Sequence, residues 1–252
     1  MLPADKDHQK LPFMEVNPQD PKYAEAFQRL LQIMNELREQ CPWDRKQTME
    51  TLRHLSIEEV YELSDAILDQ DLPEVKKELG DLFLHLTFYS KIASEQDAFD
   101  ISEVLHGVCE KLIRRHPHIY GNTEVNSEEE VAQNWEQIKL KEKKNATVLG
   151  GVPKSLPALL KAYRMQEKAS GVGFDWDEKE QVWAKIEEEL QEFKEAEAEA
   201  ATAPSRQEHL EEEFGDMMFS LINYARFANI NPETALEKAN QKFRRRFNSV
   251  EH

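Results

Sequence analysis

Glu58-Glu59-Val60-Tyr61-Glu62-Leu63, followed by Glu78-Leu79-Gly80-Asp81, is echoed downstream by Glu188-Glu189-Leu190-Gln191-Glu192-Phe193 and Glu213-Phe214-Gly215-Asp216. The acids Glu59 and Glu62, Glu78 and Asp81, and their echoes stand three apart, which puts each pair on one helical face. Fifteen residues separate Glu62 from Glu78 and twenty separate Glu192 from Glu213, the longer gap being taken up around Ala200–Ser205. The flanks repeat as well. Trp43-Asp44 precedes the first set and Phe174-Asp175 the second; Lys111, Arg114 and Arg115 follow the first, and Lys242, Arg245 and Arg246 the second. Four features in one order point to a duplicated helical unit.

The periodicity around these motifs is helical. Tyr23, Phe27, Leu30, Leu31, Met34 and Leu37 form one apolar stripe, and Val75, Leu79, Leu82, Phe83, Leu86, Tyr89 and Ile92 form another that begins near Pro73. Capping-box spacing at Ser56/Glu59, Asp100/Glu103 and Ser127/Glu130 predicts three helix starts. No alternating β-branched run stands out, so the class is all-α. Asn145–Pro157, with two Gly and two Pro and no helical period, reads as a linker. Helices are expected beyond it over 158–170, 178–200, 205–228 and 232–248. The expected organisation is an N-terminal extension over 1–20, a first domain over 21–143, a linker over 144–156 and a second domain over 157–252.

An antiparallel hairpin of the two acid-bearing helices would aim four carboxylates at one volume. Such a set repels itself unless a cation neutralises it, and all-oxygen ligands suit Mg²⁺, with Mn²⁺ as a substitute, rather than zinc. The two predicted sets are Glu59, Glu62, Glu78 and Asp81, and Glu189, Glu192, Glu213 and Asp216. Gly80 and Gly215 each cost about 1 kcal/mol relative to Ala inside a helix, which suggests close approach of a neighbouring helix or a ligand. Lys111 and Arg115, or Lys242 and Arg246, could clamp phosphate, although the helix dipole alone favours bases in a last turn. Trp43, Phe174 and Trp176 could stack on a base or simply join the core. Glu187, Glu195, Glu197 and Glu199 read as solvated helix formers.

Composition narrows the function. With 32 Lys+Arg against 49 Asp+Glu the net charge is −17, the opposite of a nucleic-acid footprint. No apolar run approaches a membrane span, the N-terminus lacks a signal-peptide pattern, and two cysteines fit a reducing compartment; a cytoplasmic protein is expected. Phosphate-binding glycine loops, Cys-x-x-Cys and His-Glu-x-x-His are absent. Glu103-x-x-His106 hints at a di-iron carboxylate protein, but the second copy reads Thr234-Ala-Leu-Glu237 there. A non-catalytic helical interaction or dimerisation protein is the other alternative.

On the paired acidic motifs, together with Cys41-Pro42-Trp43-Asp44, His116-Pro117-His118, Val172–Trp176 and Lys242–Phe247, the chain resembles the MazG family of nucleoside triphosphate pyrophosphohydrolases in its tandem form. The resemblance implies all-α bundles, a homodimer, and Mg²⁺-dependent cleavage of nucleoside triphosphates to monophosphate and pyrophosphate. Carried over, it implies Glu189, Glu192, Glu213 and Asp216 as metal ligands, with Glu59, Glu62, Glu78 and Asp81 as their first-copy equivalents. Lys185, Glu188, Glu212, Lys242 and Arg246 match nucleotide-contacting positions, and His209 stands where a relative has lysine near the phosphates. Glu188 or Glu212 would hold the attacking water or accept its proton. The C-terminal copy is expected to carry the activity.

Overall fold

The computed structural model of the protein describes residues 17–142 and 147–250; the expected N-terminal extension up to residue 16 and linker residues 144–146 lie outside the described residues. Among the described residues the regular elements are all helical. The chain divides into two compact units between Leu112 and Ile113.

The first unit opens with α1 (Pro21–Gln40), whose N-terminus is capped by Asp20. A short 3-10 turn, Asp44–Lys46, leads to α2 (Met49–Leu68), and α3 (Leu72–Ser94) follows. The tight link between α2 and α3 places Gln70 in the left-handed region at φ 58° and folds the two helices into a hairpin, with α1 against α3. Helix α2 does not start at Ser56. Thr48 and Thr51 cap each other's backbone N–H groups two turns earlier, and the Ser56 hydroxyl instead bonds Leu52 O and the Tyr89 hydroxyl. Met34, Leu52, Phe88 and Ile92 form the buried core, with Leu55 packed against it; burial of a side chain of this size is worth about 1.5–3 kcal/mol.

Helix α4 (Ile101–Arg115) carries the expected box, with Asp100 and Glu103 bonding each other's N–H. It crosses the boundary between the units. The second unit continues with α5 (Pro117–Tyr120) and α6 (Glu128–Glu142). At the start of α6, Ser127 Oγ accepts from Glu130 N, while the Glu130 carboxylate reaches back to Asn126 N. Glu142 near the α6 terminus takes charged hydrogen bonds from Arg114 and Arg115, and Arg115 lies over the Trp135 ring.

A 3-10 turn, Val148–Gly151, packs on α7 (Ala158–Ser170), so this described part of the linker stretch is built into the unit. Helices α8 (Lys179–Thr202) and α9 (Gln207–Phe227) form the second hairpin, with α7 and α10 (Pro232–Asn248) packed on α9. Trp183 edge-on to Tyr224 and Phe193 against Phe214 join α8 to α9.

Candidate active site

Each hairpin gathers acids by the same route. In the first, α2 supplies Glu59 and α3 supplies Glu78 and Asp81, with one oxygen of each inside a 4.8 Å set. Glu78 is fully buried. One of its oxygens accepts from Lys77 Nζ at 2.7 Å, and the other, Oε2, has no partner among the described residues. The Lys77 ammonium holds the Glu78 carboxyl below the usual range, whereas burial and then the Asp81 charge push Glu59 up. Glu62 stands outside the set, although its charge also raises Glu59.

In the second hairpin the set is Glu189 and Glu192 from α8 with Glu213 from α9. Lys185, one turn before Glu189, lies 2.7 Å from it and 2.8 Å from Glu188, and both acids raise the lysine's pKa. Desolvation and then the Glu189 charge raise Glu192. His209 Nδ1 is 3.5 Å from Glu213 and 3.9 Å from Glu212. Asp216 stands outside the set and lines an adjoining hollow of about 170 Å³ together with Glu189 and Lys185. Lys242 and Arg246 sit on α10 and make no ion pair among the described residues. Glu188 and Glu212 are exposed.

A cavity of about 650 Å³ shares Trp176, Phe219 and Asn223 with that hollow. Its other walls include Val148 and Leu149 from the linker stretch, Met165 and Gln166 from α7, and Phe174. Trp176 and Phe174 line the cavity in this copy, and both are exposed, as is Trp43 in the first copy. Sequence reasoning missed Gln166, Asn223 and Arg226. A signal existed for one of them: Asp216, Ser220 and Asn223 form a polar stripe at four- and three-residue steps through the largely apolar stretch 217–225 of the helix. Gln166 donates from Nε2 to Phe219 O at 2.9 Å and is buried, which ties α7 to α9.

No helix of this chain comes close at Gly80 or Gly215. A Cβ at Gly80 or Gly215 would meet nothing within 4 Å, because these faces are open in the single chain. The di-iron alternative also fails. The metal-capable groups found among the described residues are all-carboxylate, and Glu103 is engaged as a helix cap.

Both acidic sets fit a hard divalent cation. Their donors are all oxygen, and the first holds a buried carboxylate oxygen that nothing satisfies. The fold and its sites define a duplicated all-α protein with one cation-suited carboxylate cluster per hairpin, the second beside a ligand-sized cavity. A family profile for the MazG nucleotide pyrophosphohydrolase domain matches twice, over residues 47–120 and 177–251. The nucleoside triphosphate pyrophosphohydrolase/pyrophosphatase MazG of Thermotoga maritima is 47% identical over 89% of this chain and 85% of its own. The Escherichia coli K12 nucleoside triphosphate pyrophosphohydrolase is 42% identical over 88% and 86%. A solved MazG-related protein from Thermotoga maritima overlaps 44% of this chain and 97% of its own at 28% identity, with a TM-score of 0.40. The chain belongs to the MazG nucleotide pyrophosphohydrolase family, in its tandem form.

Proposed function

We propose that the protein hydrolyses nucleoside triphosphates to monophosphates and pyrophosphate with Mg²⁺, and that turnover belongs to the C-terminal copy. The observation that carries this reading is that Glu189 of the carboxylate cluster lines the hollow with Lys185 and Asp216, and that this hollow shares Trp176, Phe219 and Asn223 with a cavity large enough for a nucleoside. Glu189, Glu192 and Glu213, with Asp216 beside them, would hold Mg²⁺ or Mn²⁺. The bound cation supplies charge neutralisation at the phosphates. Lys185, released from Glu188 and Glu189, donates to phosphate oxygens, and His209 stands beside Glu212 and Glu213. Glu188 or Glu212, both solvent-facing, holds the attacking water and accepts its proton. Lys242 and Arg246 offset charge on departing pyrophosphate.

The chain acts as a homodimer in this reading. Leu79, Phe83 and Leu86 on α3 form an exposed apolar stripe, and Phe214 and Leu221 repeat it on α9; contiguous apolar surface of this kind marks association. No helix among the described residues is long and apolar enough to cross a membrane. A cytoplasmic location, domain limits near 21–143 and 157–252, and no nucleic-acid partner complete the proposal. Product analysis tests it. Monophosphate and pyrophosphate formed only with Mg²⁺ or Mn²⁺ is the expected result; diphosphate plus phosphate, or no turnover of any triphosphate, would overturn it.

A further inference from the structure

Asn223 stands where the 650 Å³ cavity meets the acid-lined hollow, and it lines both. Its amide cannot turn freely. Arg226, one turn further along α9, donates from Nε (3.2 Å) and Nη2 (2.9 Å) to Asn223 Oδ1. A guanidinium only donates, so the amide oxygen must face it and Nδ2 must face away. Arg226 is in turn gripped through two nitrogens by Asp175, from the Phe174-Asp175-Trp176 stretch. Burial pushes the Asp175 carboxyl up, but the hydrogen bonds from Arg226 and Ser170, the Arg226 charge and the Trp176 N–H together bring it below the ordinary value. Asp175 therefore stays ionised and the relay stays locked. No hydrogen bond from Asn223 Nδ2 forms within the described chain, so the relay presents a fixed donor to whatever bridges the two spaces.

We infer that Asn223 is a base-recognition residue whose Nδ2 donates to the acceptor beside the glycosidic bond, N3 of a purine or O2 of a pyrimidine, with Asp175 and Arg226 as its positioning residues. This rests on the proposed placement of phosphates at the acid-lined end and the base in the cavity, because the donor then falls at the sugar-proximal edge. All four bases carry an acceptor there, and that edge is degenerate between A and T. The contact recognises a nucleobase without choosing among them. Nδ2 is a donor only, so it does not serve the amino or imino N–H groups of the Watson–Crick edge.

The test compares ATP, 3-deaza-ATP and 7-deaza-ATP on the intact protein, with kcat and KM measured separately. The wild type should lose about fivefold to tenfold in kcat/KM on 3-deaza-ATP, mostly through KM, and nothing on 7-deaza-ATP, because one neutral hydrogen bond is removed. Asn223→Asp keeps the acceptor for Arg226 and turns the donor into an acceptor that opposes the N3 lone pair, so the preference for ATP over 3-deaza-ATP should vanish or reverse. A merely structural Asn223 would leave the difference in place. Equal kcat/KM for ATP and 3-deaza-ATP in the wild type, with normal monophosphate and pyrophosphate, would overturn this inference alone. Loss on 3′-deoxy-ATP instead would move the donor to the sugar and also overturn it. Absence of any triphosphate hydrolysis would take the parent reading down with it.

Discussion

The two hairpins keep the same acids and differ in what surrounds them. Aligned on Glu59 and Glu189, the first copy has Leu55 where the second has Lys185. Aligned on Asp81 and Asp216, it has His85 and Phe88 where the second has Ser220 and Asn223, and Lys77 where the second has Glu212. Leu55 and Phe88 pack into the core of the first unit. Their counterparts Lys185 and Asn223 face the hollow in the second. The basic ends differ too: Arg115 is engaged by Glu142 and covers Trp135, while its counterpart Arg246 has no ion-pair partner among the described residues. Carboxylates alone make a cation site; a substrate site also needs polar walls and open volume. The first copy has filled that volume with apolar side chains.

The largest expected contrast comes from removing the acids copy by copy. Glu189→Gln with Glu213→Gln should reduce triphosphate turnover by about 10³-fold or more, as loss of transition-state charge stabilisation does elsewhere. Glu59→Gln with Glu78→Gln should leave most of it, and equal losses in steady-state assays would erase the contrast. Next in size, Lys185→Met should cost about tenfold to a hundredfold through lost phosphate contact, whereas Lys77→Met should change turnover by less than about twofold.

Proton competition for metal sharpens the comparison further. Glu59 and Glu192 have raised carboxyl pKa values, so the metal-free fold favours their protonated forms. Their contribution to stability falls as pH rises through a window that opens above the ordinary glutamate value of 4.5. Metal binding displaces those protons, so Mn²⁺ affinity should climb with pH through that window and then level off. Calorimetric titration at stepped pH checks this, and Glu59→Gln should remove only the first copy's share of the slope.

The smallest effect concerns the engaged basic end. The hydrogen bonds from Arg115 and Arg114 hold the Glu142 carboxyl down at about 2. Its stabilisation is therefore complete above about 4.5 and is lost as pH falls toward 2. Glu142→Gln should lower the thermal midpoint at pH 7 by about 2–4 °C or less, since Arg114 is largely exposed and the pair is screened. A midpoint unchanged at low salt would show that this clamp contributes nothing.

Helix positions were legible because the periodicity of three and four survives along nearly every element: the expected 158–170 is α7 to the residue. The acid pairs were legible for the same reason, since a three-residue step fixes a face. The start of α2 was not, because Ser56-Ile-Glu-Glu59 mimics a box in mid-helix while Thr48 supplies the true cap. Glu62 and Asp216 share their faces with the clustered acids but not their 4.8 Å sets, a matter of side-chain reach that spacing does not encode. The cavity was hidden for a different reason. Its walls come from the linker stretch, α7, the Phe174–Trp176 segment and α9, and the Asp175–Arg226 contact spans 51 residues. Only tertiary packing brings those together.

Mn²⁺ anomalous scattering from crystals grown with a non-hydrolysable triphosphate is the most direct test of the contrast between the copies. The account predicts manganese among Glu189, Glu192 and Glu213, the triphosphate beside Lys185 and the base in the cavity lined by Trp176, with no nucleotide at the first copy. Nucleotide seated on the Glu59–Glu78–Asp81 cluster, or an acidic set in the second copy still closed by Lys185 and free of manganese, would contradict it.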